Sequence, residues 1–219
     1  MFDNLVEIPF TPIIKNTCLV DYDLLDLSAE SSQISLEIQK DPEAMQAKIS
    51  KILKDEDKKV AYGGYLEKRL LYDRSDHFGT KENKRNIHLG TDFWSDEGSI
   101  VSCPWKGSVH SFNNNTNYGD YGPTIIMKHW FKNLQFFALY GHLSKDSLID
   151  LNIGDVYESG DDLAKLGGFR ENGNYAPHLH LQVILDIGSY KGDYPGAVTQ
   201  ENLEVYIKNG ADPKDPLGL

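Results

Sequence analysis

Hydrophobic periodicity divides the chain near residue 75. Between residues 33 and 57 the apolar positions Ile34, Leu36, Ile38, Met45, Ile49, Ile52 and Leu53 recur mainly at three- and four-residue spacings, which predicts helix. Asp41-Pro42-Glu43 interrupts the pattern. Proline suits the first turn of a helix and not its interior, so a short helix ends there and a longer amphipathic one begins. Ser31 or Ser32 is placed to cap the first of them. The residues before these serines mix apolar and polar types around Pro9 and Pro12 and predict no regular element, although Phe10, Ile13 and Ile14 are expected to pack on something larger. Tyr62-Gly63-Gly64-Tyr65-Leu66-Glu67-Lys68-Arg69-Leu70-Leu71-Tyr72 alternates aromatic and charged residues, predicting an extended segment, with helix left open by its polarity.

Beyond residue 75 the period changes to two. Residues 99–104, 107–112, 123–130 and 134–140 are short strand-like runs separated by Gly, Asn and Asp clusters such as Asn113-Asn114-Asn115 and Tyr118-Gly119-Asp120. Two hairpin-like units, around Gly154-Asp155-Val156 and from Gly160 to Gly167, precede a final strong strand, Pro177-His178-Leu179-His180-Leu181-Gln182-Val183-Ile184-Leu185. A short helix and a proline-stiffened end close the chain. The fold class is therefore mainly β, a compact antiparallel sheet or sandwich with an α-helical N-terminal extension. The division expected is 1–75 for an extension packing on the main domain, 76–200 for that domain, and 201–219 for a C-terminal helix and tail.

Composition narrows the function classes. The 219 residues are 40% hydrophobic and 25% charged, ordinary for a globular chain that buries one core. A formal net charge of -11 argues against nucleic acid or an anionic membrane surface as a partner, since both demand local positive charge. The densest basic cluster, Lys81, Lys84 and Arg85, is interrupted by Glu82. No stretch has the length of a membrane span or the layout of a signal peptide, which leaves a cytoplasmic location as the simplest expectation, or a secreted or periplasmic one if a leader has been removed. The two cysteines, Cys18 and Cys103, allow one disulfide that a chain of this length does not require. Nothing in the sequence sets an oligomeric state.

The chemistry gathers at the last strong strand. Side chains alternate across a strand, so His178, His180 and Gln182 share one face while Leu179, Leu181 and Val183 share the other. Upstream, Ile87-His88-Leu89-Gly90-Thr91-Asp92-Phe93 sets an imidazole and a carboxylate four residues apart, able to meet in either regular conformation. His88, Asp92 and one member of the histidine pair would supply three ligands to zinc and leave a fourth position open for water, as catalytic sites do. Spacing alone does not say which of His178 and His180 that is. A zinc-bound water is acidified to a pKa of about 7. Proton transfer needs a further acid or base, and Tyr140-Gly141-His142-Leu143 brings another histidine. His77, His110 and His129 fit no such position and are expected to be surface or strand histidines, each making one hydrogen bond. Glu67 and Arg69, two apart, are expected to form a structural ion pair.

These motifs, in this order and in a glycine-punctuated β context with Tyr121-Gly122 and Gly154-x-x-Val156-x-x-x-Gly160, resemble the lysostaphin-type (LytM-like) zinc metallopeptidases over roughly residues 85–185. The resemblance implies zinc held by His88, Asp92 and His180, with His142 and His178 as the catalytic pair. It implies a compact antiparallel β domain of the LytM-like type and a peptide substrate, peptidoglycan-like or containing glycine or D-amino acids, hydrolysed by zinc-bound water. Asp26-Leu27-Ser28, Gly64-Tyr65-x-Glu67-x-Arg69-x-x-Tyr72, Glu171-Asn172-Gly173 and Gly192-Asp193-Tyr194-Pro195-Gly196 resemble the version of this domain fused within intracellular bacterial kinase and aminotransferase proteins. Cell-wall members often carry a tyrosine shortly before the first ligand histidine, where this chain has Lys81-Glu82-Asn83. That departure leaves the oxyanion donor to Arg85 or a tyrosine of residues 62–72. The competing readings are a zinc-bearing, non-catalytic domain that binds a peptide or metabolite, and a hydrolase of small intracellular amides.

Overall fold

The computed structural model describes residues 5–80 and 82–219, so the first four residues of the N-terminal stretch and Lys81 of the basic cluster lie outside the description. Strands β1 (Tyr22–Leu24), β2 (Val60–Gly63), β3 (Ile87–His88), β4 (Thr91–Trp94) and β5 (Ile100–Ser102) precede three long strands, β6 (Gly107–Asn115), β7 (Gly122–Phe131) and β8 (Leu134–Gly141). The short strands β9 (Val156–Tyr157) and β10 (Asp162–Lys165) follow, then β11 (His178–Ile184), β12 (Ala197–Val198) and β13 (Gly210–Ala211). The helices are α1 (Leu36–Lys40), α2 (Pro42–Asp55) and α3 (Leu203–Asn209). The fold is mainly β, as the period of two predicts.

One sheet of nine strands dominates, in the order β1-β2-β4-β11-β8-β7-β6-β9, with β13 beside the end of β11. Its neighbours are antiparallel except β1 and β2, which run parallel at one edge. The β5–β10 and β3–β12 pairs form two small ladders apart from it. The main core lies on one face, where Phe93, Ile125, Met127, Phe136, Tyr140, Leu179, Leu181 and Val183 pack together. Ile126, Leu139 and Ile184 face the other way and are covered by Tyr121 and Tyr194. Every residue of β11 is buried, so the alternation of this strand separates a hydrocarbon face from a polar one that is shielded from water.

The N-terminal helices form where periodicity places them. Asp41 caps α2, its Oδ1 accepting from Glu43 N and Ala44 N at 3.0 Å each, and Pro42 follows in the first turn. The cap of α1 is Ser35 rather than Ser31 or Ser32. Ser31 is engaged elsewhere, its hydroxyl donating to Asp26 O at 2.8 Å. The inner face of α2, Met45, Ile49 and Leu53, packs with Leu25, Leu27, Ala61, Trp94 and Ala176 behind β4. The extended reading of residues 62–72 holds only to Gly63. Gly64 at φ 100° and Leu66 at φ 57° turn the chain, and Leu70–Arg74 closes into a 3-10 helix. A side chain at residue 64 would collide with Arg69, because a Cβ there would lie 2.1 Å from its Nη2.

Cys18 and Cys103 are both free, the first exposed and the second wholly buried as a small hydrophobe. Among the described residues no helix is long and apolar enough to cross a membrane. The Asp41 cap offers a direct test of how the helical segment is held: Asp41→Ala is expected to lower the unfolding free energy by about 1 kcal/mol in urea titration, with an unchanged denaturant slope.

Candidate metal centre and its cleft

The antiparallel register of β4 and β11 sets His180 directly opposite Asp92, and Gly63 of β2 lies across from Asp92 on the other side. His88 reaches the same point from β3, which is held by pairing with Ala197 of β12. The bend between His88 and Asp92 passes over the His180 ring. At Gly90 any Cβ would sit 2.6 Å from His180 Cε1, so only glycine lets the chain approach this closely.

Three donor atoms converge there. His88 Nε2 is 2.8 Å from His180 Nδ1, and Asp92 Oδ1 is 3.2 Å from His180 Nδ1 and 3.3 Å from His88 Nε2. Among the described residues this is the group of His, Cys, Asp and Glu side chains whose ligand atoms are mutually close enough to hold a metal ion. Tetrahedral zinc with bonds of 2.0–2.1 Å sets its ligand atoms about 3.3 Å apart, and two imidazoles with a carboxylate form a suitable donor set.

Hydrogen bonding explains why the site calls for a cation. His88 Nδ1 lies 2.8 Å from Gly64 O, which can only accept, so Nδ1 carries the proton and Nε2 bears the lone pair. His180 is the reverse: Nε2 donates to Gln182 Oε1 at 2.9 Å and leaves Nδ1 bare. The Gln182 amide is itself oriented, accepting from Tyr121 OH at 3.0 Å and donating through Nε2 to Pro195 O at 3.2 Å. Two lone pairs 2.8 Å apart beside a carboxylate oxygen repel one another unless a positive charge lies between them.

His142 and His178 complete the cluster. His142 Nδ1 donates to Asn172 O at 2.7 Å and His178 Nδ1 donates to Ala176 O at 2.7 Å, so both Nε2 lone pairs are free. The two ring centroids are 4.2 Å apart, and His178 Nε2 is 3.9 Å from Asp92 Oδ1. His142 follows the end of β8 at φ 63°, a left-handed conformation uncommon outside glycine and typical of functional positions. Its partner Asn172 is immobilised by bonds to Gly167 O, Tyr175 O and Tyr175 N.

Burial sets the protonation states. His88 is driven down to about 3 by burial and then by the Arg69 charge, and burial likewise lowers His142 and His178, so these three imidazoles are neutral near pH 7. Burial alone would raise the Asp92 carboxyl, but the adjacent His88 ring and the Arg69 guanidinium hold it well below the usual carboxylate range. Arg69 Nη1 donates to Asp92 Oδ2 at 2.5 Å and Arg69 Nε to Glu67 Oε2 at 2.6 Å, so the expected ion pair of Glu67 and Arg69 extends into the site.

The cluster opens into a cleft of about 130 Å³. Tyr72 and Arg85 line it, the two kinds of residue suggested for an oxyanion donor, whereas Tyr65 points away to Gly210 O. Tyr121 and Tyr175 also line it, and of these only Tyr121 had a sequence signal, the Tyr-Gly pair before a strand. Burial pushes the Tyr175 phenol up to about 12, keeping it a hydrogen-bond donor. Of the histidines set aside, His77 reaches the cleft wall, His110 bonds Ser111 Oγ, and His129 is a core residue bonded to Lys106 O.

Residues 86–191, just under half of the chain, match the sequence profile described as Peptidase family M23. The catalytic domain of the antimicrobial peptidase lysostaphin from Staphylococcus simulans is similar at 21% identity, covering 72% of this chain and 92% of that one, with a TM-score of 0.48. A peptidase M23 structure from Pseudomonas aeruginosa is similar at 22% identity, covering 59% of this chain and 43% of that one, with a TM-score of 0.40. The catalytic domain of the prophage-encoded M23 protein EnpA from Enterococcus faecalis, a point mutant, is similar at 19% identity, covering 52% and 75%, with a TM-score of 0.37. No curated protein matches the chain.

The buried imidazoles fix a pH dependence. His88 at about 3 and His129 at about 4 both lie below the ordinary 6.5 because of burial. Below pH 6.5 the unfolded chain takes up protons that the native histidines refuse, so the stability they contribute is complete above 6.5 and is lost as pH falls toward 4. The urea midpoint of the metal-free protein is expected to be lower at about pH 5 than at about pH 7.5; equal midpoints would contradict this account.

Proposed function

We propose that the chain is a zinc-dependent endopeptidase. The observation that carries this reading is the convergence of two bare imidazole nitrogens and one carboxylate oxygen at 2.8–3.3 Å, beside two further histidines whose Nε2 atoms are free. His88 Nε2, Asp92 Oδ1 and His180 Nδ1 would hold the ion, their orientations set by Gly64 O, Arg69 and Gln182. When bound, zinc supplies Lewis acidity, polarising a substrate carbonyl and acidifying water.

The remaining steps fall to the histidine pair. His142 Nε2 accepts the proton of the attacking water, and the Asn172 carbonyl on its Nδ1–H stabilises the imidazolium that results. His178 is stacked against it, centroids 4.2 Å apart. Two imidazolium charges at that distance in a buried site repel, so the pair carries one proton at a time and passes it to the departing amine. Tyr72 and Arg85, both lining the cleft, are the candidate donors to the tetrahedral oxyanion, whereas the Tyr175 hydroxyl donates to Gly119 O at 2.9 Å.

The substrate class that follows from the M23 match is a peptide, peptidoglycan-like or containing glycine or D-amino acids. A second reading, hydrolysis of a small amide, is favoured by the small volume of the cleft, about 130 Å³, and by the burial of all five residues, none more than 5% exposed. Assaying the zinc-loaded protein on muropeptides, oligoglycine peptides and short N-acyl amides separates the two. His142→Ala is expected to abolish turnover of whichever is cleaved, by about a hundredfold or more, while keeping the metal. His180→Ala is expected to lose stoichiometric zinc and His178→Ala to retain it. The reverse result by metal analysis would exchange their roles, and a wild-type protein inert on all three substrates would leave the non-catalytic binding domain as the better account.

A further inference from the structure

Arg69 lies upstream of the family stretch at residues 86–191, yet its guanidinium is packed against a candidate ligand. The side chains of Arg69 and Asp92 are 5% and 1% exposed. Desolvation of a buried ion pair can exceed the attraction within it, so its burial alone is weak evidence of a stabilising role. Building on the metal-centre reading above, we infer that Arg69 is a positioning residue of that centre, holding Asp92 to the ion through a single oxygen.

The geometry gives the reason. A carboxylate can bind a cation through one oxygen or both. Here Oδ2 is held at 2.5 Å by Arg69 Nη1, and Oδ1 alone faces His180 Nδ1 and His88 Nε2. With Oδ2 withheld, the protein supplies three donor atoms and the remaining position stays open for water or a carbonyl; with Oδ2 released, a fourth protein atom competes for that position. The guanidinium also draws charge from the carboxylate, which makes it a weaker donor and leaves the ion more electrophilic.

The clamp is itself clamped from outside the family stretch. Glu67 Oε2 accepts from Arg69 Nε at 2.6 Å, and Glu67 Oε1 accepts from Leu27 N at 2.8 Å. The turn at residues 64–67 that positions Arg69 also supplies the Gly64 carbonyl that orients His88. One turn therefore orients two of the three candidate ligands, and the metal centre is incomplete within residues 86–191 alone.

Cobalt(II) substitution reads the coordination directly. The wild-type protein is expected to show the intense visible absorption of a four-coordinate tetrahedral site. Arg69→Met is expected to show the weaker absorption of a five-coordinate site, accompanied by a shift in zinc affinity read by chelator competition. Arg69→Lys keeps the charge without the fork and is expected to fall between the two. Circular dichroism and melting check that each variant is folded. Should Arg69→Met fail to fold, Glu67→Gln, which loosens the arginine without removing it, is expected to shift the spectrum in the same direction by less. A folded variant with an unchanged cobalt spectrum and unchanged zinc affinity overturns the clamp and leaves a structural ion pair. A wild-type protein that takes up neither metal overturns the metal-centre reading itself, and the clamp with it.

Discussion

The pairing register of β4 with β11 is the constraint on which the site depends. Because side chains alternate across a strand, a slip of one residue would carry His178, His180 and Gln182 into the hydrocarbon core and turn Leu179, Leu181 and Val183 toward the cleft. Such a slip buries imidazoles among apolar side chains without their carbonyl and amide partners, so the packing that stabilises the sheet also excludes it. The geometry of the candidate site and the packing of the core are thus two faces of one strand, and neither can be altered by a residue without the other.

Within that frame, electrostatics is settled by backbone carbonyls more than by charged groups. Three of the four clustered imidazoles give their Nδ1 proton to a carbonyl oxygen, Gly64, Asn172 or Ala176, while His180 alone donates from Nε2, to a side-chain amide. The difference in tautomer distinguishes His180 from its neighbour His178, two residues away on the same strand face. The single strong cation in the cluster, Arg69, is balanced by Glu67 and Asp92, so the buried site carries its charge in a compact, hydrogen-bonded group.

The parts legible in the sequence are those set by short-range pattern. Alternation through residues 178–184 marked β11 and the faces of its side chains, and Asp41-Pro42 marked the start of α2 because a cap and a first-turn proline act within a few residues. What pattern did not reveal depends on distant partners. Glu67 and Arg69 read as a local pair, since nothing nearby in the chain indicates that Asp92 lies against the guanidinium. Tyr175 carried no signal, and alternation puts Gln182 on the face of His178 and His180 without indicating that Tyr121 and Pro195 bond its amide. The strand over residues 62–72 was overextended because alternation continues through Gly64 while the backbone turns there. His88, Asp92, His142, His178 and His180 could be listed together from motif order, but which nitrogen of each faces the cleft follows only from its carbonyl or amide partner.

The parallel pair β1 and β2 has a consequence for how this sheet ends. β2 pairs with β4 along Ala61 to Gly63, and β1 in turn covers β2 with only three residues of strand. A fragment trimmed to residues 86–191 would strip both away and leave β4, the strand bearing Asp92, with a bare row of amide and carbonyl groups. An edge of that kind is a template for joining another chain strand to strand. The N-terminal segment therefore also works as an edge guard, keeping the strand that carries a candidate metal ligand from becoming a site of self-association.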